Sequence, residues 1–407
     1  MQWEKCMTVT PKTNNHKPKR IGILTSGGDC PGLNAVIRAV VKVATYKYGW
    51  EVYGIPYGTD GFIELLVGKR QPEELRIKEH GYDIPGLVQG LDILHFLSGS
   101  VLGSISKGDP EKHADDIIQG YEKLGLDALI VMGGDGSIEI LDKLARKAGE
   151  YGTPWNWVAV PKTIDNDVPY TEVSVGFDTA VNRVTQALYD LTFTAASHDR
   201  VMIVQVMGRD SGYLAMEAGI AGGADAILIP ELTPIIDETV VKGICQHISQ
   251  LQQQGRRFAL VVVAEGVKNQ LRQKEHYIGD YVASQIQACS SQIYTSDQPE
   301  PFKLPPLDTR VTVLGHLQRG GTPTSNDRLL ATAFGREAVD LIANGNYNQM
   351  VIWQNGRVSS VPLSRVIEQI KKARKEEKAP SRVDPQGFLV RTARDIGIYV
   401  GEASNEY

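Results

Sequence analysis

Cysteine is scarce. Cys6, Cys30, Cys245 and Cys289 are the four among 407 residues, and with no C-x-x-C pair or Cys/His cluster they exclude a disulfide framework and a zinc site. No apolar run reaches the roughly 20 residues of a bilayer span, so a membrane-embedded class has no support. Positive charge is not in excess either. The formal net charge is -5 at neutral pH, which argues against nucleic acid as the main partner, because a phosphate backbone favours basic surfaces. No G-x-x-x-x-G-K-[ST] occurs, and the glycine spacing after the first strand is not G-x-G-x-x-G, so two common nucleotide-binding fingerprints drop out.

What remains is an ordinary globular composition, 42% hydrophobic and 22% charged, in a chain long enough for two lobes. Residues 1–19 read as a loose, polar N-terminal arm without the apolar stretch of a secretory signal, and a reducing cytoplasm fits the cysteine usage. Strands are expected at Ile21–Thr25, Glu51–Pro56, Ala128–Met132, Trp157–Val160, Val201–Val206, Ala226–Pro230, Phe258–Ala264 and Val311–Leu314. Several are continuous Val/Ile/Leu runs, as parallel strands covered on both faces require. Helical periodicity follows nearly every strand, which makes the fold class α/β. A lobe division is expected near Ser174–Gly176, and Pro299–Pro306 reads as a surface excursion. Beyond Gly345 the pattern changes to a charged helix over Ser364–Lys378, read as a solvated face.

The unusual residues cluster after the strands, where open parallel sheets bind ligands. Lys162-Thr163-Ile164-Asp165-Asn166-Asp167 sets two carboxylates and an ammonium at a strand exit. Residues i and i+2 of an extended segment share a side, so Asp165 and Asp167 are expected to converge on one volume. The alternative is a polar loop satisfied by its own backbone. Ser26-Gly27-Gly28-Asp29 and Gly133-Gly134-Asp135-Gly136-Ser137 are glycine turns that open helices, an arrangement that attracts phosphate. Asp135 is a hard oxygen ligand suited to Mg²⁺, or merely a helix cap. Arg200, Arg209, Arg310 and Arg319 stand at strand ends and suit bidentate phosphate contacts. Singly, each is more often a surface ion pair, and His316 alone is more often a packing histidine.

With SGGDCPGLN, GGDGS, PKTIDND, MGRDSG and LGHLQRGG in this order, the chain resembles the phosphofructokinase family over about Arg20 to Ile342. The resemblance implies a two-lobed fold, each lobe a mainly parallel sheet flanked by helices, with the active site in the cleft between lobes. Residues 20–175, with a return of 318–345, would bind the phosphoryl donor; 176–317 would bind fructose 6-phosphate; 346–407 would be a C-terminal extension. Carried over by motif, Asp165 would be the general base on the sugar 1-hydroxyl, with Arg209 and Thr163 serving the transferring phosphoryl group. Gly27, Gly134, Asp135, Gly136, Ser137 and Lys162 would bind the donor, and Asp135 and Asp167 would place Mg²⁺. Thr163, Ile164, Asp165, Met207, Gly208, Arg209, Glu265, His316 and Arg319 would contact the sugar phosphate. Arg200 and Arg310 would act across the interface of a homodimer or homotetramer.

The donor implied is ATP or pyrophosphate. Pyrophosphate-using members generally carry Asp where this chain has Gly136, whereas ATP-using members typically carry Gly where it has Lys162. Room left by an absent side chain is the firmer argument, and it favours ATP. At Leu102–Lys107 the chain departs from the Arg-aromatic pair of many bacterial ATP enzymes, so contacts there are not carried over. The alternatives are a pyrophosphate-dependent phosphotransferase, another kinase class sharing the GGDG turn, which PKTIDND and HLQRGG argue against, and a non-catalytic sugar-phosphate sensor.

Overall fold

The computed structural model describes residues 19–77, 90–104, 109–275, 277–295 and 307–401. The expected arm up to residue 18, the excursion at 299–306 and positions 105–107 lie outside the described residues. The chain divides into two compact units, Met1–Lys162 with Tyr170–Val175 and Ser325–Glu368, and Thr163–Pro169 with Gly176–Thr324 and Gln369–Tyr407.

Unit 1 contains β1 (Arg20–Thr25), α1 (Leu33–Lys42), β2 (Glu51–Ile55), α2 (Asp60–Leu66), α3 (Pro72–Leu75), β3 (Arg76–Ile77), α4 (Ala114–Leu124), β4 (Ala128–Gly133), α5 (Asp135–Glu150) and β5 (Trp157–Pro161). Unit 2 contains α6 (Phe177–Ser197), β6 (Val201–Val206), α7 (Tyr213–Ala221), β7 (Ala226–Leu228), α8 (Glu238–Gln253), β8 (Ala259–Ala264), α9 (Ile278–Thr295) and β9 (Thr309–Val313). The chain then returns to unit 1 with α10 (Ser325–Ala343), β10 (Gln349–Gln354) and β11 (Arg357–Pro362). The division falls within α11 (Leu363–Lys375), and α12 (Phe388–Asp395) belongs to unit 2.

The seven strands of unit 1 run in the order β11-β10-β5-β4-β1-β2-β3. All pairings from β10 to β2 are parallel, with antiparallel β11 and β3 at the edges. Every residue of β4 is buried, which is why its sequence shows no alternation. Helix α5 instead buries Ile138, Leu141, Leu144 and Ala148, one stripe at helical spacing. The connections leave β1 in opposite directions, towards β2 and towards β4. The crevice at the carboxyl ends of β1 and β4 is therefore the switch point of this sheet, the place where such sheets bind ligands.

Unit 2 holds a parallel four-stranded sheet, β7-β8-β6-β9. Its core gathers Ile203, Val261 and Val263 with Ile244, Cys245 and Ile286 from α8 and α9. Cys30 and Cys245 are buried free thiols.

The division differs from the sequence expectation in three places. Thr163–Pro169, with Asp165, belongs to unit 2, and the return to unit 1 starts at Ser325. Residues beyond 345 are not a separate extension: β10 joins the unit 1 sheet beside β5, because Met350, Val351 and Ile352 bury with the core. Nor is α11 wholly solvated. It buries Val366, Ile367, Ile370 and Ala373 as one stripe, and its lysines and arginines take the other face.

Candidate active site

In unit 1 the two glycine turns end adjacent parallel strands. The Ser26 N–H donates to the Met132 carbonyl at 2.9 Å, which locks the turn after β1 to the end of β4. Gly27 has φ +83°, and a Cβ there would stand 3.1 Å from both Lys162 Nζ and Ser137 Oγ. Only glycine takes this conformation without strain while leaving its backbone approachable. The Lys162 ammonium is buried and donates to the Gly28 carbonyl at 2.6 Å, so the lysine braces the first turn from beneath. Gly134 caps α5, and Asp135 occupies its first turn, where the helix dipole favours an anion. A Cβ on Gly136 would meet nothing within 4 Å among the described residues. Gly27, Gly134, Asp135, Gly136, Ser137 and Lys162 thus share one crevice, and the N-terminus of α5 with the glycine amides suits a polyphosphate.

In unit 2 the structure brings Asp165, Glu265, Arg209 and Arg319 together. The Asp165 carboxyl is pushed up to about 6, first by burial and then by the Glu265 carboxylate, against the pull of Arg319 and Arg209. Its Oδ1 is fully buried without a hydrogen-bond partner among the described residues. The Asp165 N–H donates to Thr163 Oγ1 at 3.1 Å, fixing the turn on which the carboxylate sits. The extended path assumed for the convergence of Asp165 and Asp167 is not the one the backbone takes. Asn166 between them has φ +53°, so the segment is not extended, and the rule that i and i+2 share a side does not apply.

The carboxyl ends of β6, β8 and β9 supply the neighbours. Met207, Gly208 and Arg209 follow β6, Glu265 follows β8, and His316 and Arg319 lie in the short helical turn Gly315–Arg319 after β9. A Cβ on Gly266 would lie 2.0 Å from the Arg209 carbonyl, so glycine there lets the arginine's backbone pass. His316 is exposed, which removes the packing alternative for it. Arg200 and Arg310 are not part of this gathering. Both stand at the starts of β6 and β9, and a six-residue strand at about 3.3 Å per residue puts the two ends roughly 20 Å apart.

Sequence reasoning passed over two supporting amides, each inside a recognised motif. Gln318 is buried; its Oε1 accepts from the Met207 N–H at 3.1 Å and its Nε2 donates to the Gly315 carbonyl at 2.9 Å, so it joins the ends of β6 and β9. Asn34 donates to the Leu97 and Ser98 carbonyls at 3.1 and 3.2 Å and accepts from the Val101 N–H at 2.8 Å, tying loop 97–101 to the start of α1. Among the described residues no group of three or more His, Cys, Asp or Glu gathers as a metal cage. Asp135 offers a carboxylate of the kind Mg²⁺ takes when substrate phosphates and water complete its shell.

Residues 20–342 match the protein family described as Phosphofructokinase. The "ATP-dependent 6-phosphofructokinase 2" of Nostoc sp. is 51% identical over 396 residues, 94% of this chain and 99% of that one. The "ATP-dependent 6-phosphofructokinase" of Thermosynechococcus vestitus is 49% identical over 389 residues, 94% of this chain and 93% of the other. Among solved structures, Pichia pastoris phosphofructokinase in the T-state is similar over 89% of this chain, with a TM-score of 0.73 and 29% identity. The match spans 39% of that longer yeast chain.

Proposed function

The chain belongs to the phosphofructokinase family, and from that premise we propose how its two units divide the reaction. The activity is glycolytic: the terminal phosphoryl group of ATP passes to O1 of D-fructose 6-phosphate, giving fructose 1,6-bisphosphate and ADP. Unit 1 binds the donor and unit 2 the acceptor. Phosphoryl transfer asks for in-line positioning and charge neutralisation rather than covalent chemistry, and the side chains divide along those lines.

The observation that carries this reading is the buried Asp165 carboxylate with Arg209 and Arg319 acting on it. Asp165 takes the proton from the sugar 1-hydroxyl as O1 forms its bond to the terminal phosphorus. The Arg209 guanidinium, the Gly27 N–H and the Thr163 hydroxyl stabilise the charge on the moving phosphoryl oxygens. Met207, Gly208, Glu265, His316 and Arg319 hold the sugar phosphate. Asp135 would hold Mg²⁺, with Asp167 helping to place metal or substrate, and the bound ion would supply charge neutralisation for the leaving diphosphate.

Arg200 and Arg310 cannot reach a ligand held at the far ends of their own strands. They serve the 6-phosphate of fructose 6-phosphate bound by a second copy, so the working enzyme is a homo-oligomer, in the cytoplasm. Gly136 sets the donor. With nothing within 4 Å of its absent side chain among the described residues, the space beside the turn admits the nucleotide, and a carboxylate placed there would repel the α-phosphate. The test is a paired assay with Mg–ATP and Mg–pyrophosphate on the native chain and on Gly136→Asp. The native chain is expected to form fructose 1,6-bisphosphate with ATP, and the variant to lose ATP use while keeping its fold. Turnover of the native chain with pyrophosphate alone overturns the donor assignment.

A further inference from the structure

The side chains of Arg200 and Arg310 meet on a single carboxylate. Arg200 Nε donates to Asp308 Oδ2 at 2.8 Å. Arg310 Nη1 donates to Asp308 Oδ1 and to the Thr309 carbonyl at 2.8 Å. The backbone carrying that carboxylate is itself fixed, because the Asp308 carbonyl accepts from the Val201 N–H at 2.9 Å. Strand register brings the three together: Val201 faces Thr309 and Met202 faces Arg310, so Asp308 lies opposite Arg200. The two guanidiniums hold the Asp308 carboxyl below the usual carboxylate range, the Arg200 hydrogen bond most strongly.

An exposed ion pair by itself contributes little to stability, and the side chains of Arg200, Asp308 and Arg310 are 28%, 40% and 50% exposed. Stability is therefore a poor reason for this arrangement. Two long cations near one another repel and sample many rotamers, and a phosphate that needs both must order both as it binds. A carboxylate between them does that ordering beforehand and cancels one of the two positive charges. Each guanidinium has five N–H donors; one of Arg200 and one or both of those on Nη1 of Arg310 are engaged here, so most of each fork is not used in these bonds.

We propose that Asp308 is a positioning residue for phosphate binding, holding Arg200 and Arg310 side by side so that a phosphate monoester carried by a second copy of the chain meets both at once. The inference rests on the reading above that these arginines bind the 6-phosphate. Asp308 itself touches no substrate.

The experiment is steady-state kinetics with fructose 6-phosphate varied at saturating Mg–ATP, on the native enzyme, Asp308→Asn, Arg200→Ala/Arg310→Ala and the triple variant. Light scattering verifies that each keeps the native oligomer, and Asp308→Ala serves as a second probe. Asp308→Asn is expected to raise KM for fructose 6-phosphate about three- to ten-fold, with kcat within about two-fold of native. In the background lacking both arginines, the same change is expected to add nothing, because its partners are gone. A KM that is unchanged or lowered by Asp308→Asn, while the arginine variant raises it, overturns the proposal and leaves the arginines' role intact. An Asp308→Asn defect that persists undiminished without the arginines marks a structural role and also overturns it. A native KM in the arginine variant removes the 6-phosphate reading itself, and Asp308's role with it.

Discussion

The role proposed for Asp165 rests on a carboxyl that is buried, with Oδ1 unpartnered among the described residues. Burial and the Glu265 charge raise its pKa to about 6, near the operating range of a general base. The proposed base acts deprotonated, so kcat/KM for fructose 6-phosphate is expected to rise with pH along a limb centred near 6. Stability runs the other way. The folded pKa lies above the unfolded value, so the native state binds the proton more tightly, and stability falls as pH rises between those two values. Asp165→Asn removes that cost. The variant is expected to melt at a higher temperature than the native enzyme at about pH 8, by an increment worth on the order of 1–3 kcal/mol, and to lose the advantage towards about pH 4. Equal melting at both pH values contradicts the assignment, and calorimetry decides it. The PKTIDND motif made this residue legible in the sequence. Its immediate geometry was not legible, because the left-handed Asn166 breaks the extended path on which the spacing argument depended. Gln318 stayed hidden for another reason: a buried amide that joins two strand ends looks in sequence like any polar loop residue.

At the scale of elements, every strand expected between Ile21 and Leu314 is present; most are buried parallel strands written as Val/Ile/Leu runs, whereas β9 at the sheet edge is only partly buried. The β10–β11 hairpin was missed, although Asn355-Gly356 between its strands is a strong hairpin signal. Both turn residues take positive φ, 52° and 73°, as a type I′ turn requires. The charged sequence of α11 masked a segment that completes the unit 1 sheet. Helix contacts matter to the site through α1, which starts at the first glycine turn and packs on α10. A Cβ on Gly335 of α10 would stand 2.8 Å from both the Ala39 Cβ and the Val36 carbonyl. Gly335→Ala is therefore expected to push the helices apart at a cost of about 1–3 kcal/mol in denaturant unfolding. Donor affinity should weaken more than acceptor affinity, since the first turn rides on α1; native unfolding and unchanged donor KM would refute this coupling.

At the scale of the whole molecule, the sequence located the first boundary near residue 175 but assigned Thr163–Pro169 to the wrong side of it, since chain order alone does not reveal a short segment that belongs with a later sheet. In the proposed reading, the placement of Arg200 and Arg310 roughly 20 Å along the strands from Met207 and Arg209 is what calls for a second copy. Asp165→Asn chains and, at fructose 6-phosphate concentrations near the native KM, Arg200→Ala/Arg310→Ala chains should each show little activity alone. Reassembled together from dissociated subunits, they are expected to recover up to about a quarter of native activity, because about half of the pairs are mixed and half of the sites in each mixed pair regain a native carboxylate and native arginines. Absence of any recovery in verified hybrids would place the arginines' work within one chain. The most direct measurement of the account as a whole is the turnover of Asp165→Asn with Mg–ATP beside its equilibrium binding of fructose 6-phosphate. The account predicts a kcat lower by about 10²–10⁴-fold with binding retained; near-native turnover would contradict it.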